Sequence, residues 1–141
     1  MAGKGPIARN DAAKMWSLNY RLLVSVITGV SAEISALGLE TKELFLLAAL
    51  DGHPYPADLA AELCMPKPTV TFTVKRLEAA GFLKREIDSA DLRRHRLTLT
   101  AEGRKTMTKG LAHLSKAFGT RLARLTRAEQ SVLAALLEKM S

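Results

Sequence analysis

Two short stretches concentrate the side chains able to bind anions. In DLRRHRLTLTAEG, Asp91, Arg93, Arg94 and Arg96 crowd one end of a run that then alternates apolar and polar residues. In KPTVTFTVKR, Lys67, Pro68, Thr69, Thr71, Phe72, Thr73, Lys75 and Arg76 stand close together. A guanidinium offers a planar fork to phosphate or to a guanine edge, a lysine offers a point charge, and a threonine hydroxyl bonds phosphate or a base. These are the pieces of duplex recognition rather than of bond making. No nucleophile with a base beside it, no glycine-rich phosphate loop and no close carboxylate pair occurs, so an enzyme is not expected. His53, His95 and His113 lack metal-ligand spacing, and no metal or other cofactor is expected. Cys64 is the single cysteine, which excludes an internal disulfide and fits a reducing cytoplasm. At a helix end behind Leu63 it reads as a small buried residue, with a redox-sensing thiol near Lys67 as the alternative.

Charge points the same way. The 141 residues carry a formal +7, unevenly: residues 1–66 hold 5 Lys/Arg against 7 Asp/Glu, net −2, and residues 67–141 hold 16 against 7, net +9. A basic second half favours an anionic partner, nucleic acid before a membrane surface. At 48% hydrophobic the chain can bury the core of one compact subunit. MAGKGPIARND holds no apolar signal core and no run of 18 uncharged apolar residues follows, so a soluble cytoplasmic protein is expected.

The elements that must position these residues follow from periodicity. Met15, Leu18, Leu22, Leu23, Val26, Ile27, Val30, Ile34 and Leu37 keep the three-and-four spacing of one long helix over about 11–37. Leu111, Leu114, Phe118, Leu122 and Leu125 repeat it, and TRAE at Thr126–Glu129 is a capping box that opens a last helix. Both ends carry more apolar stripe than a small domain covers, which predicts interlocking terminal helices from two copies, with a monomeric helical core as the alternative. Between them, Thr41 can cap a helix over KELFLLAAL and Pro56 opens PADLAAELC. MPKP forces a turn, with Met65 and Lys67 extended, before a helix from Pro68 to Ala80 that Gly81 closes. FLKREI and HRLTLT then read as two strands. The whole is mainly α with a small β-hairpin wing: 1–40 an N-terminal dimerisation helix, 41–100 a winged helix–turn–helix and 101–141 C-terminal dimerisation helices.

On these residues the chain resembles the MarR family of bacterial winged helix–turn–helix regulators over nearly its whole length. D-x-R followed by LTxxG stands here as Asp91, Arg93, Leu99, Thr100 and Gly103, and TVTFTVKRLEAAGFLKRE is similar to the family's recognition helix and first wing strand. The resemblance implies a homodimer on a pseudo-palindromic operator, usually a repressor released by a small ligand. It also implies that Asp91 orients Arg93. The sequence departs from the family pattern at Cys64, where glycine is common, at Pro66, where a serine-like cap is common, and at Phe72, where a basic residue is common.

Helical phase puts Val70, Val74 and Leu77 inward and Pro68, Thr69, Phe72, Lys75 and Arg76 outward, with Thr71 and Thr73 at the edges. Phe72 either packs on a thymine methyl or folds sideways against the wing. In the second strand His95, Leu97 and Leu99 are expected inward, Arg94, Arg96 and Thr98 outward, and Arg93 at the hairpin tip, where it can enter a minor groove. Trp16 and Tyr20 read as core or dimer contacts, or as part of a pocket between helical and winged regions, where the family takes its ligands. The expected partners are double-stranded DNA, a second copy and a small effector, with no membrane. A protein-interaction module and a non-specific architectural DNA binder are the rival readings.

Overall fold

The computed structural model describes residues 9–141, with side chains from Asp11 onward; the expectation about the first residues lies outside that range. Among the described residues the order is α1 (Arg9–Gly29), α2 (Ser31–Ala36), α3 (Thr41–Ala49), α4 (Pro56–Glu62), α5 (Lys67–Ala79), β1 (Leu83–Ile87), β2 (His95–Leu99), α6 (Ala101–Leu122) and α7 (Arg127–Met140).

The single helix expected over 11–37 is two. After Gly29, a weak helix former, Val30 leaves helical geometry at φ −113° and ψ 3°. Val30 at the break and Ile34 of α2 both lie in the core. The apolar spacing continues across the break, which hides it from a periodicity argument. The cap of α3 is also displaced by one residue: Glu40, not Thr41, takes the N-cap, and its N–H donates to Glu43 Oε1 at 2.8 Å. Pro56 does open α4, behind Tyr55.

The core lies within the winged region, where α3, α4 and α5 close on Leu83 and Leu97 of the hairpin. β1 and β2 pair antiparallel from Leu83 with Leu99 to Ile87 with His95, and the Leu97 N–H donates to Pro54 O at 2.8 Å, tying the wing base to the segment before α4.

The LTxxG sequence is a joint. Thr100 caps α6, its hydroxyl accepting from the Gly103 N–H at 3.0 Å and donating to Gly81 O. A Cβ on Gly103 would stand 1.8 Å from Phe82 O, so only glycine lets α6 meet the backbone there. Further along, a Cβ on Gly110 would lie 2.7 Å from Leu44 Cδ1, which sets how closely α6 crosses α3. The TRAE box closes as expected: the Thr126 N–H donates to Glu129 Oε1 at 2.9 Å and the Glu129 N–H to Thr126 Oγ1 at 3.2 Å.

No residue of α7 is buried in the single chain. Val132, Leu136 and Met140 lie open along it, as do Met15, Trp16, Leu18, Tyr20 and Leu23 on α1. No single helix among the described residues is long and apolar enough to cross a membrane; residues 11–36 and 41–49 reach that composition only together, bent by 86°.

Candidate nucleic-acid interface

Helix α5 carries the first half of the site. Its inner stripe is as expected, with Val70, Val74 and Leu77 buried. Its N-terminus is unusual. Pro66 is the N-cap and Pro68 lies in the first turn, so the free N–H groups there that can face an anion come from Lys67 and Thr69. Lys67 is helical rather than extended. The preceding turn needs a left-handed residue, and Cys64 supplies it at φ +50° where glycine would do so without a Cβ penalty. Cys64 is exposed, not buried, because that turn lifts it off the core.

Two α5 side chains expected at the surface are engaged internally. Thr73 is buried and its hydroxyl donates to Thr69 O at 2.8 Å. Arg76 bends back across the helix: its Nε donates to Glu43, a carboxylate 1% exposed at the start of α3, and one terminal nitrogen donates to Gly38 O at 3.2 Å. That carboxylate raises the Arg76 pKa above its ordinary value, working against partial desolvation. A buried carboxylate left unpaired costs far more than an exposed one, so Glu43 holds Arg76 in place. Thr71 is exposed, with its hydroxyl donating to Lys67 O at 3.0 Å. Phe72 stays in the open and does not fold against the wing; its neighbours are Glu40, Lys42, Glu43, Thr73 and Arg76 around the first turn of α3.

The wing carries the second half. Leu92 and Arg93 sit at the tip of a tight turn in which the Arg94 N–H donates to Asp91 O and the Arg93 N–H to Asp91 Oδ1, both at 3.0 Å. Asp91 thus shapes the turn through the backbone, and it makes no ion pair with the Arg93 guanidinium. His95 is exposed, not inward, because the hairpin outruns the core beyond Leu97. Arg94 does not project: its guanidinium carbon lies 3.6 Å from the centroid of the Tyr55 ring.

Tyr55 is a residue that sequence reasoning missed. Its hydroxyl donates to Asp88 Oδ2, and Asp88 also accepts the Ala90 N–H at 2.8 Å and donates its own N–H to Arg94 O. The Tyr55 hydrogen bond, with help from the Ala90 N–H, holds the Asp88 carboxyl below the usual range, and the same bond raises the Tyr55 phenol. Tyr55, Asp88 and Arg94 therefore brace the wing against α4. Among the described residues, Lys67, Lys75, Arg93 and Arg96 make no ion pair, whereas Lys84 and Arg85 pair with Glu86 and Glu78. Projecting positive charge thus remains at one end and one flank of α5 and on the wing; exposed cations outside the ion pairs also lie on α6 and α7, Lys105, Lys109, Arg127 and Lys139 among them.

Trp16 and Tyr20 stack at 6.4 Å between ring centroids and are largely exposed in the single chain, which removes the core reading. They line neither of the two apolar hollows beside them. One, of about 350 Å³, is walled by Leu22, Leu23, Val26 and Ile27 of α1, Phe45 of α3, Leu114 and Phe118 of α6 and Leu133 and Leu137 of α7. The other, of about 640 Å³ and more open, shares Leu22, Phe118 and Leu133 and adds Arg21 and Arg121.

This arrangement defines a winged helix–turn–helix protein whose terminal helices leave an apolar face uncovered. The chain belongs to the MarR family, whose model matches residues 37–94. It is 32% identical over 132 residues to the HTH-type transcriptional repressor Rv2887 of Mycobacterium tuberculosis, spanning 92% of this chain and 95% of that one. The crystal structure of the Mycobacterium tuberculosis MarR family protein Rv2887 in complex with DNA superposes with a TM-score of 0.73 at 31% identity, over 89% of this chain and 95% of that one. The structure of the same protein in complex with salicylic acid gives 0.73 at 29% identity, over 96% and 98%.

Proposed function

We propose that the chain is a cytoplasmic homodimeric transcriptional repressor without enzymatic activity, which binds a pseudo-palindromic duplex operator and releases it on binding a small molecule. The observation that carries this reading is that four cations outside the ion pairs, Lys67, Lys75, Arg93 and Arg96, stand together on α5 and the wing, two elements braced against one core. With α5 in the major groove, Lys67, Lys75 and Thr69 meet backbone or base edges, and Arg93 at the wing tip enters the neighbouring minor groove, where the potential is most negative. Residues 41–100 make these contacts. Residues 1–40 and 101–141 pair two copies, and a two-fold axis then presents two α5 helices to two half-sites.

The effector reading rests on the hollow of about 350 Å³. Its walls suit a single aromatic ring, and Arg21 and Arg121 in the adjoining hollow suit a carboxylate, so an aromatic acid of the salicylate kind is the class expected. Such a ligand bears on Phe45 of α3, the helix that Glu43 ties to α5. It releases DNA only if it binds the DNA-free arrangement more tightly than the DNA-bound one.

The test is selection of sheared genomic fragments by the full chain. Enrichment of an inverted repeat, abolished by millimolar salicylate, is the expected result. Uniform recovery of fragments contradicts a regulator and favours an architectural binder; no recovery contradicts DNA binding altogether.

A further inference from the structure

We propose that Phe72 is a specificity-determining residue which packs on the C5 methyl of a thymine in each operator half-site. The inference rests on the operator-binding reading above and adds what the α5 face reads.

Phe72 lies in the second turn of α5, one turn past Pro68 and Thr69 and one turn before Lys75 and Arg76, on the side away from Val70, Val74 and Leu77. Because those three are at most 1% exposed, the helix cannot rotate to bury the ring without emptying the core. The ring remains 69% exposed. The side chains that share its hollow at the start of α3 are the charged ones of Glu40, Lys42 and Glu43, none of them an apolar partner for the ring.

The groups that would read a base by hydrogen bonding are mostly withdrawn from this face. Arg76, the residue with the fork for guanine, is bound to Glu43 and Gly38 O. Thr73 is buried on Thr69 O, and the Thr71 proton is given to Lys67 O. What projects beside Lys75 is therefore a ring without a donor or acceptor. In the major groove the C5 methyl of thymine is the apolar group that base edges present, whereas cytosine carries only a hydrogen at C5. A ring here rewards thymine over cytosine through that methyl.

Replacing thymine by deoxyuridine removes that methyl and nothing else. With an operator obtained by fragment selection, each thymine of the half-site is exchanged in turn, and the full-length wild type is compared with Phe72→Ala and Phe72→Leu. At one thymine per half-site the exchange should weaken wild-type binding about fourfold, the equivalent of ~0.8 kcal/mol for one buried methyl-sized group. The loss should persist in Phe72→Leu and vanish in Phe72→Ala, while all three proteins bind a random duplex equally, which also shows that they are folded. Tolerance of every exchange by the wild type, or an equal loss in Phe72→Ala, overturns the proposal and leaves the regulator reading intact. Failure of the selection to enrich any sequence overturns both.

Discussion

Asp91 shows how a single carboxylate acts against its own charge. A negative residue at the wing tip repels phosphate, yet its Oδ1 holds the Arg93 N–H at 3.0 Å and so fixes where Arg93 points. Asp91→Ala should therefore weaken operator binding by about 1 kcal/mol, the worth of a lost capping-type hydrogen bond, although it makes the protein more positive. Asp91→Asn keeps the acceptor and should bind at least as tightly as wild type. Tighter binding by Asp91→Ala, measured by fluorescence anisotropy, would mean that charge outweighs geometry. Tyr55 gives a second residue-scale check. Its phenol is raised by the bond to Asp88, so that bond's contribution is complete below the ordinary tyrosine range near ~10 and is lost as pH rises through the raised value. Asp88, held low, contributes above the ordinary aspartate value near ~3.9 and stops contributing as pH falls through its depressed value. The brace is thus complete between roughly pH 4 and pH 10. Ultraviolet titration should show a tyrosine ionising late, a signal that Tyr55→Phe removes and Asp88→Asn moves back toward the ordinary range.

At the scale of elements, the joint between hairpin and α6 is the place with the least tolerance. Gly103→Ala puts a methyl 1.8 Å from a backbone oxygen, which cannot rotate away. The substitution should cost about 3 kcal/mol or more in chemical unfolding, at the upper end of overpacking effects. A change under ~1 kcal/mol would mean that α6 sits off the Phe82 backbone in solution. The LTxxG spacing was visible in the sequence, but its cause was not, since a sequence does not say which backbone a glycine touches. Element order, the α5 inner stripe, the Gly81 stop and the TRAE box were legible because each is a local pattern. What escaped depends on neighbours distant in the chain. Arg76 reads as an outward cation until Glu43 is brought beside it, 33 residues earlier. A signal did exist, for Glu43 lies on the stripe continued by Leu46, Leu47 and Leu50, and a carboxylate there requires a partner. Tyr55 gave no such sign, being one residue before a helix-opening proline, and the break at Val30 was concealed by unbroken apolar spacing.

At the scale of the whole molecule, the account depends on two copies. Leu136 is 50% exposed in the single chain, so Leu136→Asp should hardly disturb a monomer. If α7 pairs with a partner copy, the same change buries a charge and should dissociate or unfold the protein at micromolar concentration, as read by sedimentation. A folded wild-type monomer would remove the basis for two half-sites. The central claim, that the α5 and wing cations neutralise DNA phosphates, is tested most directly by the salt dependence of operator affinity. Eight such cations in a dimer, four from each copy, predict a slope of log affinity against log salt on the order of −7, and Arg93→Ala should make it shallower by roughly 2. A slope near zero, or one that Arg93→Ala leaves unchanged, would contradict the claim.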